Sequence, residues 1–233
     1  MPDSSLALDL ALTIRHDGNG GVTDDLDAPA GLTAWVRERS AQLPLPDGSF
    51  VADDAVLGAV RELRAAVRAL FARAVRPGEP SPADAHRLLP LQDAVDRLNA
   101  AAARVPVVPV LHWPEAGSDR DRDPGPDAKG GPVRGPLGGS VSAPPLVREE
   151  TAAQAPAPDL LTAALARAAL AFLAGPDLPR LRACHAPRCV RYFLKEHPRQ
   201  EWCKPSCGNR ARVARHHQRH RDAGGTGGVR EGS

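Results

Sequence analysis

All four cysteines of the 233-residue chain, Cys184, Cys189, Cys203 and Cys207, fall within 24 consecutive residues. Cys184 and Cys189 bracket HAPR, Cys203 and Cys207 bracket KPS, and 13 residues separate the two pairs. Each short turn can aim two thiolates at one tetrahedral ion, so the spacing describes a four-cysteine zinc site. The stretch from Arg182 to Arg221 is about 40 residues, a size at which one apolar core seldom suffices and a metal supplies the difference. Val190, Tyr192, Phe193, Leu194 and Trp202 are its candidate satellite core. With four thiolates no coordination position stays open for water, which makes a single zinc structural rather than hydrolytic.

Other uses of these residues remain. The cysteines could be four free thiols or two disulfides, although disulfides do not persist in a reducing compartment. Cys203 and Cys207 could instead join His216 and His220 in a two-Cys two-His finger. Only eight residues separate Cys207 from His216, against about 12 in such fingers, and Cys184 and Cys189 would be idle. His185 adjoins a ligand and could replace one; spacing does not decide this.

Charge divides the chain. From Arg180 to Arg221 there are 12 Arg or Lys against Glu196 and Glu201, a net of +10, whereas residues 1–179 carry a net of −7. A basic block on a cysteine frame suggests a polyanion partner, because clustered cations gain from phosphate contacts and counterion release. Asn209 after Gly208 is expected to cap a helix of about Arg210 to Arg221, with Gly208 in a positive-φ turn. Arg212, Arg215, His216 and Arg219 share one face of that helix. Lys204, Arg212, Arg215 and Arg219 are the candidate nucleic-acid contacts.

The front of the chain reads as helical. Val56, Val60, Leu63, Val67, Leu70, Phe71 and Ala74 recur at spacings of three and four, predicting a helix from Asp53 to Val75 with Asp53 or Asp54 as cap and Pro77 as stop. A shorter helix is predicted from Pro29 to about Ser40, burying Leu32, Trp35 and Val36. Ser81 to about Arg104 opens with Ser81 as N-cap, buries Leu88, Leu91, Val95 and Leu98, and must kink or break at Pro90. A further helix is capped by Asp159, closed by Gly175 and Pro176, and turns Leu161, Leu165, Ala168 and Phe172 inward. Leu6 to Ile14 is either a buried strand or the start of a helix. The β-branched stretch from Val105 to Pro114 predicts an edge strand.

From Pro114 to Pro158, 16 of 45 residues are Pro or Gly, and residues 115–157 read as a disordered insertion. The fold class is mainly α (α+β): a helical N-terminal domain over 6–175 with a small edge sheet, a zinc module over 180–221 with treble-clef or zinc-ribbon-like knuckles, and a disordered tail over 222–233. The start has no basic n-region and no run reaches the length of a membrane span, so a cytoplasmic, nucleoid-associated protein with no membrane partner is expected. The dominance of Arg over Lys, with abundant Ala, Pro and Gly, indicates a GC-rich bacterial source. His16, His86 and His112 are isolated, and Asp24, Asp25, Asp27, Asp53 and Asp54 suit turns and caps; no catalytic residues are assigned and no enzyme is expected.

The segment CGNRARVARH, with the four-cysteine frame, Tyr192-Phe193, Trp202 and Gly208-Asn209-Arg210, resembles the CGNR zinc finger of bacterial regulators over about Leu181 to His220. The front, from LALDLALT through LHWP, resembles the ABATE domain that usually precedes this finger. The resemblance implies a stress-induced transcription regulator whose finger binds DNA and whose front domain senses or assembles. It implies Cys184, Cys189, Cys203 and Cys207 as zinc ligands, and Arg210 as a support of the knuckle or a phosphate contact. Family members often end the opening motif with Asn-Thr, where this chain has Leu12-Thr13. DNA is the expected partner and RNA or a protein the alternative; one finger has a small footprint, so specificity asks for a homodimer or a second contact.

Overall fold

The computed structural model describes residues 4–16, 21–45, 50–84, 88–113, 144–151 and 154–225. The opening motif is helical. α1 (Ser4–Ala11) buries Leu6, Ala7, Leu10 and Ala11, a 3.6-residue stripe, and then gives way to a short antiparallel ribbon of β1 (Ile14–His16) and β2 (Val22–Asp24). The carbonyls at the end of a helix lack intrahelical partners. Here Thr13 donates its hydroxyl to Leu10 O at 2.8 Å, Arg68 donates to Ala11 O at 2.6 Å, and Arg64 donates to Thr13 Oγ1 at 2.8 Å. Leu12-Thr13 therefore serves as the stop of α1.

Both arginines stand on α3 (Asp54–Ala74), the central helix, whose expected face from Val56 to Phe71 is buried. Asp53 caps it, its carboxylate accepting from Val56 N–H at 2.8 Å. Arg64 also makes a two-pronged ion pair with Asp24 at 2.5 and 2.6 Å. Burial alone would raise the Asp24 pKa, but the hydrogen bonds from Arg64 and the Leu26 N–H and the nearby guanidinium charge outweigh it and hold it below the usual value. α2 (Pro29–Glu38) buries Leu32, Trp35 and Val36 as its spacing predicts. Gly31 is required there: a Cβ would lie 2.3 Å from Asp25 O.

Pro90 breaks the next helical region as expected. Ser81 leads a single 3-10 turn at Pro82–Asp84, and α4 (Leu91–Ala103) begins only after the proline. Because α4 starts this late, Leu88 and Leu91 are exposed, and Ala94 and Leu98 carry its contact with the core. His86 lies outside the described residues. α5 (Ala157–Leu173) buries Leu161, Leu165, Ala168 and Phe172, but opens at Pro156 instead of Asp159, which sits in the first turn and pairs with Arg104 at 3.5 Å. Helices α1, α3, α4 and α5 pack on one another and α2 packs on α3.

Residues 106–154 form a separate unit. In it β3 (Val107–His112) pairs antiparallel with β4 (Leu146–Thr151), Pro109 opposite Glu149. The expected disordered insertion is thus shorter at its end: LVREET becomes a strand because β3 gives it partners 34 to 44 residues back. Residues 115–143 and 152–153 of that insertion lie outside the described residues.

After α5 comes a third two-stranded ribbon, β5 (Leu181–Ala183) with β6 (Tyr192–Leu194), followed by the long α6 (Pro205–Gly225). Neither three-residue strand is legible by periodicity. Helix α6 runs past the expected end at 221, and residues 226–233 lie outside the described residues. Successive residues of a strand face opposite sides, and β6 uses both. Tyr192, fully buried, joins the helical core, its ring 5.5 Å from Phe71, which in turn lies 5.0 Å from Phe172. Phe193 faces the cysteines. The satellite core is accordingly smaller than expected: Tyr192 and Leu194 pack with the front helices instead.

Below Tyr192 lies a buried polar network. Its hydroxyl donates to Asp84 at 2.6 Å, Arg68 donates to both Asp84 oxygens at 2.8 and 3.0 Å, and the Ser81 hydroxyl donates to Val190 O at 2.8 Å. Burial, then the charge and hydrogen bond of Asp84, push the Tyr192 hydroxyl well above its ordinary value, so it remains a donor at any working pH. The front helices and the terminal ribbon share one interior.

Candidate metal centre and basic helix

Cys184 follows β5 directly, and its N–H donates to Arg191 O at 2.9 Å, closing the loop between the two strands. Within that loop Cys189 N–H donates to Ala186 O at 2.9 Å, and Arg188 takes a left-handed φ of 63°. The second pair arrives differently. Helix α6 starts at Pro205, so Cys207 sits in its first turn and Cys203 just ahead of it. A ribbon loop and a helix start thus present one pair each, nearer to the treble-clef than to the ribbon form of the two expectations.

Gly208 is helical rather than a positive-φ turn, and Asn209 lies inside the helix instead of capping it. The glycine serves a close approach: a Cβ at 208 would sit 3.0 Å from Trp202 Cδ1. The left-handed residue is Arg188, in the first turn.

The four Sγ atoms lie within 4.8 Å of one another, with Cys189 to Cys203 at 3.7 Å and Cys203 to Cys207 at 3.5 Å. A tetrahedron of sulfurs about 2.3 Å from its centre has edges of about 3.8 Å, so the donor set fits one zinc ion. The separations are far above a disulfide bond of about 2.05 Å, and all four cysteines are free. As bare thiols they divide the charge unequally. Hydrogen bonds from the Cys189 and then the Cys203 thiol lower Cys184 to about 2, while the bond to Cys184 raises Cys189 to about 11 and Cys203 is pushed up as well. Four thiolates this close coexist only around a cation. Zinc held by four thiolates supplies a cross-link between the ribbon loop and the helix.

Cys184, Cys189 and Cys207 are buried, and Cys203 is half-buried. Arg210, one turn beyond Cys207, donates to its Sγ at 3.1 Å. It is thus turned to the sulfurs, the first of the two roles that the resemblance implied for it. The two-Cys two-His alternative fails on distance: Cys207 and His216 lie on one helix nine residues apart, about 14 Å along its axis. His185 borders the cluster in sequence only; the four sulfurs complete the set without it.

Beyond Arg210 the helix turns to solvent. Lys204, Arg212, Arg215 and Arg219 are all exposed. Arg212 donates to Asn209 Oδ1 at 2.6 Å and Arg215 to Ala211 O at 3.4 Å, and among the described residues none of the four is in an ion pair.

Residues 4–176 match the ABATE family, described as "Putative stress-induced transcription regulator", and residues 180–220 match the CGNR zinc finger. The chain belongs to the ABATE family. Both descriptions are of regulator and zinc-finger types, not enzymatic ones. No curated protein matches the chain. No helix among the described residues is long and apolar enough to cross a membrane.

Sequence reasoning missed Arg68, Ser81 and Asp84 as the polar floor of the ribbon. Arginines inside an apolar stripe, at 64 and 68 of α3, were the available signal.

Proposed function

We propose that this chain is a zinc-dependent, DNA-binding transcription regulator. Cys184, Cys189, Cys203 and Cys207 hold one structural zinc, and Arg212, Arg215 and Arg219, with Lys204 at the start of the helix, meet phosphate. The observation that carries the reading is the pairing of charge with exposure on α6: a helix with Cys207 in its first turn and Cys203 just ahead of it extends arginines that no acid neutralises among the described residues. Phosphate contacts would supply affinity and register, and one or two of these side chains would reach a base edge. A single finger reads few bases, so two copies of the chain act together on one site. Such a regulator works in the cytoplasm, associated with the nucleoid.

Fluorescence anisotropy of the zinc-loaded full chain with duplex DNA at several salt concentrations tests the proposal. Binding should weaken steeply as salt rises, and replacing Arg212, Arg215 and Arg219 by Ala should flatten the salt slope by about one per lost phosphate contact. No binding at low salt sinks the reading. A structured RNA that competes more strongly than the duplex moves it to the RNA alternative.

A further inference from the structure

His216 and His220 are not needed by the four-sulfur centre, yet they meet. One turn apart on α6 and both exposed, their Nε2 atoms approach to 3.1 Å and their ring centroids to 4.4 Å. Two imidazole nitrogens bound to one ion at about 2.0–2.1 Å are about 2.9–3.4 Å apart when the angle at the metal lies between about 90° and 110°. The rings thus stand at the bite distance of a two-point chelate. Histidines at i and i+4 on one helix face are a recurring way to present a metal with two nitrogens.

We propose that His216 and His220 form a second metal site, a two-imidazole chelate for a labile divalent transition ion, distinct from the four-cysteine centre. The two places contrast in every respect that governs exchange. The sulfurs close a buried tetrahedron, whereas the imidazoles supply two ligands at the surface and leave the remaining positions to water. About 14 Å of helix axis separates Cys207 from His216, so neither set completes the other.

The surroundings select the kind of ion. Arg212, Arg215, Arg219 and Arg221 stand on the same helix and repel any cation, so binding must come from coordinate bonds rather than from charge attraction. That excludes calcium and magnesium, which need several oxygen ligands, and favours ions that take imidazole well, namely nickel, copper and zinc. His217 lies next in sequence but on another side of the helix, its ring centroid 6.0 Å from that of His216; it is a control rather than a third ligand.

The test adds Ni2+ to the zinc-loaded full chain and follows it by native mass spectrometry and by NMR of the histidine rings. One nickel should bind beside the retained zinc, broadening the His216 and His220 imidazole signals without the thiolate-to-metal absorption that exchange at the cysteines would produce. His216→Gln, His220→Gln and the double variant should lose this nickel while keeping zinc and unchanged far-ultraviolet circular dichroism. His217→Gln should keep both ions. Failure of nickel to bind the wild-type chain, broadening confined to other histidines, or binding that survives the double substitution overturns the proposal and leaves the contact a plain N–H to N hydrogen bond.

Discussion

The front helices and the cysteine module reach order by different means, although they touch. In front, α1, α2, α3 and α5 enclose a continuous interior of Leu, Val, Ala and Phe, with Asp53 capping α3 and two arginines closing the end of α1. In the module, the buried cluster consists of Cys184, Ala186, Cys189, Phe193 and Cys207, with Trp202 and Cys203 partly buried against it. Four of these seven residues are cysteines. Apolar burial at about 25 cal/mol per Å2 can hold the first region and the β5–β6 ribbon, whose Leu181, Ala183 and Tyr192 share its interior, but Ala186, Phe193 and Trp202 are too few to order the cysteine turns against their conformational entropy. Order there must depend on the ion, and order in the front must not.

Removing one sulfur tests this contrast with the largest effect. Cys207→Ser should abolish zinc retention and remove on the order of 10 kcal/mol from the module. The helical circular dichroism of α1 to α5 should persist. Metal analysis checks the first outcome, and unchanged zinc content would end the ligand assignment.

Asp84→Ala strikes the shared boundary. It strands the Arg68 guanidinium and the Tyr192 hydroxyl, both buried, and breaking such a pair costs about 3–5 kcal/mol. Chemical denaturation should show a loss of that size, and a chelator should strip zinc sooner than from wild type. Tyr192→Phe should cost less, about 1–3 kcal/mol, since it removes a single donor and leaves the ion pair. If Asp84→Ala leaves zinc retention untouched, the two regions are independent after all.

The smallest effect sharpens the account of the first cysteine turn. Arg188 holds a left-handed φ that costs an ordinary residue about 1–2 kcal/mol. Arg188→Gly should hold zinc at least as well as wild type. Arg188→Val should hold it several-fold more weakly in competition with a chelator, because branched side chains tolerate that region worst.

What could be read in advance follows the range of the interactions. The cysteine frame, the Asp53 cap, the break at Pro90 and the inward face of α5 are written in neighbouring residues, and each stands in the structure. The parts that escaped depend on distant partners. LVREET is a strand only because β3 lies opposite, Tyr192 belongs to the front only because Phe71 and Asp84 receive it, and Arg68 is buried because a helix end and an acid await it. The start of α6 differs from its expectation for a local reason: Gly208 reads as a turn residue, while its small size serves the indole of Trp202.

Tyr192 and Phe193 on the two sides of one short strand bear on how such chains can be recombined. A breakpoint near residue 178 looks safe by family boundaries, yet it would cut through a common wall and leave a tyrosine without its pocket. Fusions that exchange the cysteine module should therefore carry Arg68, Phe71, Ser81 and Asp84 with it, so the heritable unit is a surface rather than a segment.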